Sequence, residues 1–270
     1  LGAGLVSFNA YSVRRDLALA TGPESPAQKA FLVGAADRPD IATFFKRLTP
    51  DGRLRMARAI GRYRDPKLPK LAAVLLADFD AAARRELSVS LDRLAPRYVT
   101  ETANELSRKG SFQTLAVTGA LRRVGPTALP AVAAMLGNGD ARPAAIAFLV
   151  SSGPPAIPYF RKALADANVD VKAAAADGLG KLRAREAVPE LLTVYRTVKP
   201  ENRPPFLSAV AAIGDPAQED LLVRIATDPS RSGNERAQAV LGLGRIGSSR
   251  ALSVLARLAD EDDLRPRDDV

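Results

Sequence analysis

Apolar residues recur at helical spacing in one segment of the chain after another. Val171-Lys-Ala-Ala-Ala-Ala-Asp-Gly-Leu-Gly-Lys-Leu182 is rich in Ala and Leu, and Glu235-Arg-Ala-Gln-Ala-Val-Leu241 is amphipathic with no β-branched run. Both predict helices. Around residue 57, Leu54, Ala57 and Ile60 point away from Arg55, Arg58 and Arg62, which fall at i, i+3 and i+7. Such a helix ends at a Gly or Arg and a short polar turn. A second helix then opens with Pro in its first turn, as in Val188-Pro-Glu-Leu-Leu-Thr-Val-Tyr195. Pro is tolerated there because a first-turn N–H has no intrahelical partner. An acidic break follows, as at Leu164-Ala-Asp-Ala-Asn-Val-Asp170 and Ile225-Ala-Thr-Asp-Pro-Ser230, where Asp and Asn suit helix N-caps.

The helix-turn-helix unit repeats. Val124-Gly-Pro-Thr-Ala-Leu-Pro130, Ser152-Gly-Pro-Pro-Ala-Ile-Pro158 and Leu182-Arg-Ala-Arg-Glu-Ala-Val-Pro189 align, and the same cassette recurs at Ile60-Gly61, Leu94-Ala95, Ile213-Gly214 and Ile246-Gly247. A degenerate copy lies at Val33 to Ile41. A period of about 28 to 33 residues is in solenoid range, and one such helix pair cannot bury its apolar face alone. The expected fold is all-α, an α-solenoid or superhelix of about seven to eight stacked antiparallel helix pairs.

Asp170 to Leu192 and Asn234 to Leu255, with their Gly-Leu-Gly helix ends and Ala-Val-Pro or Arg-Ala-Leu second-helix starts, resemble the short HEAT-like repeat first described in phycobilisome bilin lyases. The likeness is strong over 111–260 and thinner over 28–110. It implies a right-handed solenoid that binds other macromolecules; it does not imply lyase activity. Residues 1–27 are set apart as an N-terminal segment, mildly apolar at its start, that reads either as a first helix docked on the domain or as the tail of a membrane or signal segment. Residues 28–270 form the repeat region, with 261–270 read as the start of a further, truncated repeat. The body is expected to be soluble and its localisation is left open; on the membrane reading it is tethered at the N-terminal end, with cytoplasmic and periplasmic sides undecided.

Composition agrees and narrows the chemistry. Hydrophobic residues make up 47% of the 270 residues but aromatics only 5%, with no Trp, Cys or His. Thiolate and imidazole catalysis, disulfides and Cys or His metal sites are excluded. The net charge of +9 sits in the first half: residues 1–130 hold 21 Lys and Arg against 12 Asp and Glu, and the remainder holds 18 of each.

Three candidate chemistries follow. Gly242-Leu-Gly-Arg-Ile-Gly247 matches the dinucleotide fingerprint, but it follows a predicted helix where the fingerprint needs a strand. Small residues at close helix contacts explain it better, and no cofactor or metal is expected. Carboxylate catalysis needs only two acids, yet Glu101 with Glu105 and Asp262 with Asp263 read as solvated surface. A basic strip, Arg53, Arg55, Arg58, Arg62, Arg64, Lys67 and Lys70, is opposed along the chain only by Asp51 and Asp65. It reads as a solvated face or as a docking surface for acidic protein, anionic lipid or nucleic acid. HEAT-like DNA glycosylases and single-strand binders need aromatic residues, and only Tyr63 and Tyr98 lie nearby. The expected function is a non-enzymatic bacterial scaffold or adaptor for protein partners within a larger membrane-associated assembly, with no small-molecule substrate. The alternatives are a nucleic-acid or anionic-membrane binder and a bilin-lyase-like or carboxylate-based enzyme.

Overall fold

The computed structural model describes residues 13–76, 81–108 and 111–260, and among these the regular structure is entirely helical. Residues 13–21 (α1) precede two helices, α2 (Pro26–Ala35) and α3 (Ile41–Lys46), whose connection carries the degenerate cassette copy. Helix pairs then follow in order: α4 (Pro50–Ile60) with α5 (Leu68–Leu75), α6 (Ala81–Leu94) with α7 (Val99–Asn104), and α8 (Ser111–Val124) with α9 (Leu129–Ala134). The later pairs are α10 (Arg142–Ser151) with α11 (Ile157–Ala163), α12 (Val169–Lys181) with α13 (Val188–Thr197), α14 (Pro204–Ile213) with α15 (Glu219–Thr227), and α16 (Gly233–Ile246) with α17 (Ser249–Asp260). Every cassette marked in the sequence falls at the turn inside one of these pairs.

The chain forms two compact units, Leu1–Ala144 and Ala145–Val270. Each is a solenoid stack with a layer of first helices and a layer of second helices. In the first unit α4 packs on α6 and α6 on α8, while α5 packs on α7 and α7 on α9. In the second unit α12 packs on α14 and α14 on α16, with α15 against α17. The cores lie between the layers, around Leu71, Leu87 and Leu91 in the first unit and Phe160, Leu179, Leu191 and Phe206 in the second, all fully buried. Each such side chain contributes about 1.5–3 kcal/mol on leaving water.

Local sequence explains where the helices start and stop. Pro occupies the first turn of α5, α9, α11 and α13, as the repeat pattern requires. The acidic breaks supply caps unevenly. Asn168 accepts from the Asp170 N–H at the start of α12. At the next break Asp228 turns its carboxylate to the Ser230 N–H instead, and Ser232 caps α16 in a reciprocal arrangement with Glu235. The cassette itself is a left-handed turn: Gly125, Gly153, Gly214 and Gly247 have φ between 66° and 79°. Arg183 stands at the same cassette position with φ 51°. Left-handed backbone costs a residue with a Cβ about 1–2 kcal/mol, so Arg183 is strained where its counterparts are not. Gly61 differs, since its φ of −74° is right-handed. What it provides is room: a Cβ there would lie 2.9 Å from the Cα of Ser90, whose hydroxyl donates to the Ala57 carbonyl at 2.7 Å.

Candidate functional site

The basic strip lies on α4, on α5 and on the turn between them, and the fold surrounds it with acids that are remote in sequence. Arg55 pairs with Asp51 at 2.8 Å one turn earlier, and Arg58 approaches Glu86 of α6 at 3.5 Å. Arg62 reaches Glu24 at 2.6 Å, ahead of α2. Lys67 and Lys70 converge on Asp37 at 2.6 and 2.7 Å. Their hydrogen bonds hold the Asp37 carboxyl down at about 2, and the same contact with Asp37 raises the Lys67 ammonium. Arg53 donates to the Lys46 carbonyl at 2.8 Å, and Arg64 is exposed. Glu24, Asp37 and Glu86 were invisible as partners because each lies about 25 or more residues from its cation, whereas helix stacking brings successive repeats into contact. Exposed pairs of this kind contribute little to stability. They do, however, occupy cations that a polyanion would need. Tyr63 is likewise engaged, its hydroxyl donating to Gln28 Oε1 at 2.7 Å and accepting from the Ser25 N–H at 3.0 Å.

The dinucleotide-like motif lies in α16 and its C-terminal cap. Gly242 faces the neighbouring repeats, where a Cβ would sit 2.8 Å from Leu222 Cδ1 and 3.1 Å from Ala211 Cα. Gly247 caps the helix in the left-handed conformation. No strand precedes the motif, and the N–H groups of a helix interior are already donated, so the phosphate-cradling geometry is missing. Gly178 serves the same purpose in α12, standing directly over the ring of the buried Phe160.

Two surface grooves open between first helices of successive repeats, one in each unit. The first, about 510 Å³, lies between α6 and α8, with Leu76, Ala81 and Ala116 in its lining and Leu115 70% exposed. Arg84, Arg85 and Arg123 stand around it, and Arg123 is paired with Asp92 at 2.6 Å. The second, about 500 Å³, lies between α12 and α14 and is lined by Lys181, Arg183, Ser208 and Arg245 with Asp177. Among the described residues no group of acids could hold a metal ion, and no helix is long and apolar enough to cross a membrane. Residues 1–12 of the N-terminal segment 1–27, and residues 261–270, read as a truncated further repeat and containing Asp262 and Asp263, lie outside the described residues.

Residues 157–237 match the family model for HEAT repeats, and residues 235–261 match that for the PBS lyase HEAT-like repeat. The chain is a HEAT-like repeat protein. Among solved structures, human deoxyhypusine hydroxylase in complex with glycerol is 18% identical, with 92% of this chain and 96% of that one covered and a TM-score of 0.35. The CpcE–CpcF complex of phycocyanin lyase from Nostoc is also 18% identical, covering 88% and 96%, with a TM-score of 0.37. An engineered protein is 15% identical, covering 92% and 82%, with a TM-score of 0.38. At these scores none of them speaks to the chemistry of this chain. No curated protein sequence matches it.

Two buried acids in these HEAT-like repeats escaped the sequence reading. Glu105, expected on a solvated face with Glu101, is only 7% exposed and pairs with Arg108, and Glu101 is half-buried. The helix tightens into a 3₁₀ turn at Glu105–Ser107, which carries Glu105 inward. Glu235, also 7% exposed, accepts from the Tyr195 hydroxyl at 2.6 Å and lies 3.6 Å from Arg231. Arg203 covers the Tyr195 ring at 5.7 Å. Burial and then the hydrogen bond to Glu235 push the Tyr195 phenol up to about 12. The Ser-x-x-Glu spacing of residues 232–235 was the available signal for Glu235, as a capping box.

Proposed function

We propose that this repeat scaffold is a non-catalytic adaptor that holds a protein partner against its first-helix layer. The observation that carries the reading is the groove between α6 and α8, where Leu115 stands 70% exposed in a concavity with arginines around it. A single exposed leucine is ordinary on a flat surface. Here it shares a hollow with the exposed Ala81 and the half-buried Ala116, so apolar side chains of a partner would cover several apolar groups at once. The exposed Arg85, with Arg84 and the Asp92-paired Arg123 nearby, favours carboxylates beside those apolar positions, which describes an acidic amphipathic helix lying in a groove between two helices. The rival reading, polyanion binding at the basic strip, is weakened by the carboxylates already paired there. A phosphate backbone would have to displace Glu24, Asp37, Asp51 and Glu86 before gaining the charge.

A random peptide library displayed on phage and selected on the intact protein tests this. Enriched peptides with acidic and apolar residues at helical spacing, lost on Leu115→Asp, would support the adaptor. Failure to enrich any peptide, together with tight duplex-DNA or anionic-vesicle binding abolished by charge reversal at Arg55, Arg58 and Arg62, would refute it.

A further inference from the structure

The groove between α12 and α14 gathers cations from successive repeats: Lys181 from α12, Arg183 from the turn after it, and Arg245 from α16. Asp177 is the one carboxylate in its lining, and it is bound to Lys181 at 2.7 Å. Among the described residues neither guanidinium is ion-paired with an acid. Arg245 donates to the Ala212 carbonyl at 3.2 Å, and its methylenes run beside Gly214, leaving further N–H groups without acceptors among the described residues. Arg183 is exposed, and neither its guanidinium nor the Ser208 hydroxyl has a hydrogen-bond or ion-pair partner among the described residues.

Arg183 is also the only residue other than glycine with positive φ among the described residues. The matching turns at 125, 153, 214 and 247 all use glycine, which adopts that backbone without strain. A glycine at 183 would therefore make a better turn. The arginine keeps the strain and in return places a guanidinium at the groove. Backbone strain retained beside convergent unpaired donors is the arrangement expected of a binding position.

We propose that this groove binds an acidic segment of a partner protein, with Arg183 and Arg245 donating to its carboxylate or phosphoryl oxygens and Ser208 adding a hydroxyl. The inference depends on the adaptor reading only for the source of the anion, and its residues are separate from the groove at Leu115.

Fluorescence anisotropy on the full chain tests it with three short labelled peptides: one rich in Glu, one carrying phosphoserine, and one with Gln in place of Glu. The Glu or the phosphoserine peptide is expected to bind, more weakly at high salt, and the Gln peptide not to bind. Whichever anion binds more tightly identifies the partner's group. Arg183→Gly is expected to weaken that binding about tenfold while raising Tm by about 2–4 °C, so the loss cannot come from unfolding. Arg245→Gln should weaken it as well. Equal binding by Arg183→Gly and the wild type, equal binding of the Gln peptide, or a fall in Tm on Arg183→Gly would each overturn the proposal. So would a DNA duplex that binds more tightly than either peptide and is weakened by Arg183→Gly. If peptides selected at the Leu115 groove bind as expected while Arg183→Gly has no effect, this site fails and the adaptor reading stands.

Discussion

Three glycines of the second unit should respond to alanine with opposite signs, although Gly242 and Gly244 are two residues apart in one helix. Replacing a helix-interior Gly with Ala gains up to about 1 kcal/mol from backbone entropy. At Gly244 nothing opposes this, because the nearest atom to a new Cβ is Leu255 Cδ1 at 4.0 Å, ordinary contact. Gly244→Ala is expected to stabilise by about 0.5–1 kcal/mol and raise Tm by about 1–4 °C. At Gly242 the new Cβ meets Leu222 Cδ1 at 2.8 Å and Ala211 Cα at 3.1 Å. Leu222 is fully buried and a backbone Cα cannot swing aside, so the helices must separate slightly. Overpacking of this kind costs about 1–3 kcal/mol, which cancels or exceeds the gain and leaves a net loss of up to about 2 kcal/mol. At Gly178 the Cβ would enter the ring of the fully buried Phe160, so the loss should reach or pass the top of that range. Urea titrations followed by far-ultraviolet circular dichroism measure all three, and an unchanged m-value shows that the same transition is compared. If Gly178→Ala and Gly242→Ala stabilise as Gly244→Ala does, the close-packing account of these glycines is wrong.

Further outcomes concern the buried and paired acids. Tyr195→Phe removes the 2.6 Å hydrogen bond to Glu235 and should cost about 1–3 kcal/mol in the same titration. Because the Tyr195 pKa is raised from 10.0 to about 12, its contribution is complete below pH 10 and is lost as pH climbs through 12; Tyr195→Phe should flatten that part of the stability profile. Asp37 works in the opposite sense. Lowered from 3.8 to about 2, its contribution is present above pH 3.8 and disappears as pH falls through 2, so Asp37→Asn should lose less stability than the wild type across that window. Leu115→Asp, at a 70% exposed position, should leave Tm within about 2 °C of the wild type while abolishing peptide binding at the α6–α8 groove.

The helix pairs were legible because the repeat writes its punctuation into the sequence. Gly125, Gly153, Gly214 and Gly247 mark left-handed turns, and Pro69, Pro130, Pro158 and Pro189 mark second-helix starts. Periodicity also exposed Gly242 as a packing residue, which the fingerprint alone disguised. The electrostatics were not legible. A linear reading assigns each cation its sequence neighbours, whereas the partners of Arg62, Lys67 and Lys70 come from other repeats at separations of 30 to 38 residues. The groove at Leu115 was hidden for a related reason. On the helical pattern Leu115 is one more apolar residue of an Ala- and Leu-rich helix, and only the spacing of α6 and α8 leaves it uncovered. Arg183 was visible as the exception in the cassette, but its meaning depends on the four glycine turns having positive φ.

The central claim is that a protein partner occupies the first-helix layer. The most direct test is the mass and composition of the complex isolated through a tagged full-length chain from the cells that make it, with nuclease treatment and with the Leu115→Asp variant in parallel. A complex of defined mass that contains a second protein, survives nuclease and dissolves with Leu115→Asp is the result expected here. A chain recovered alone, or only with nuclease-sensitive nucleic acid or lipid, would contradict the account.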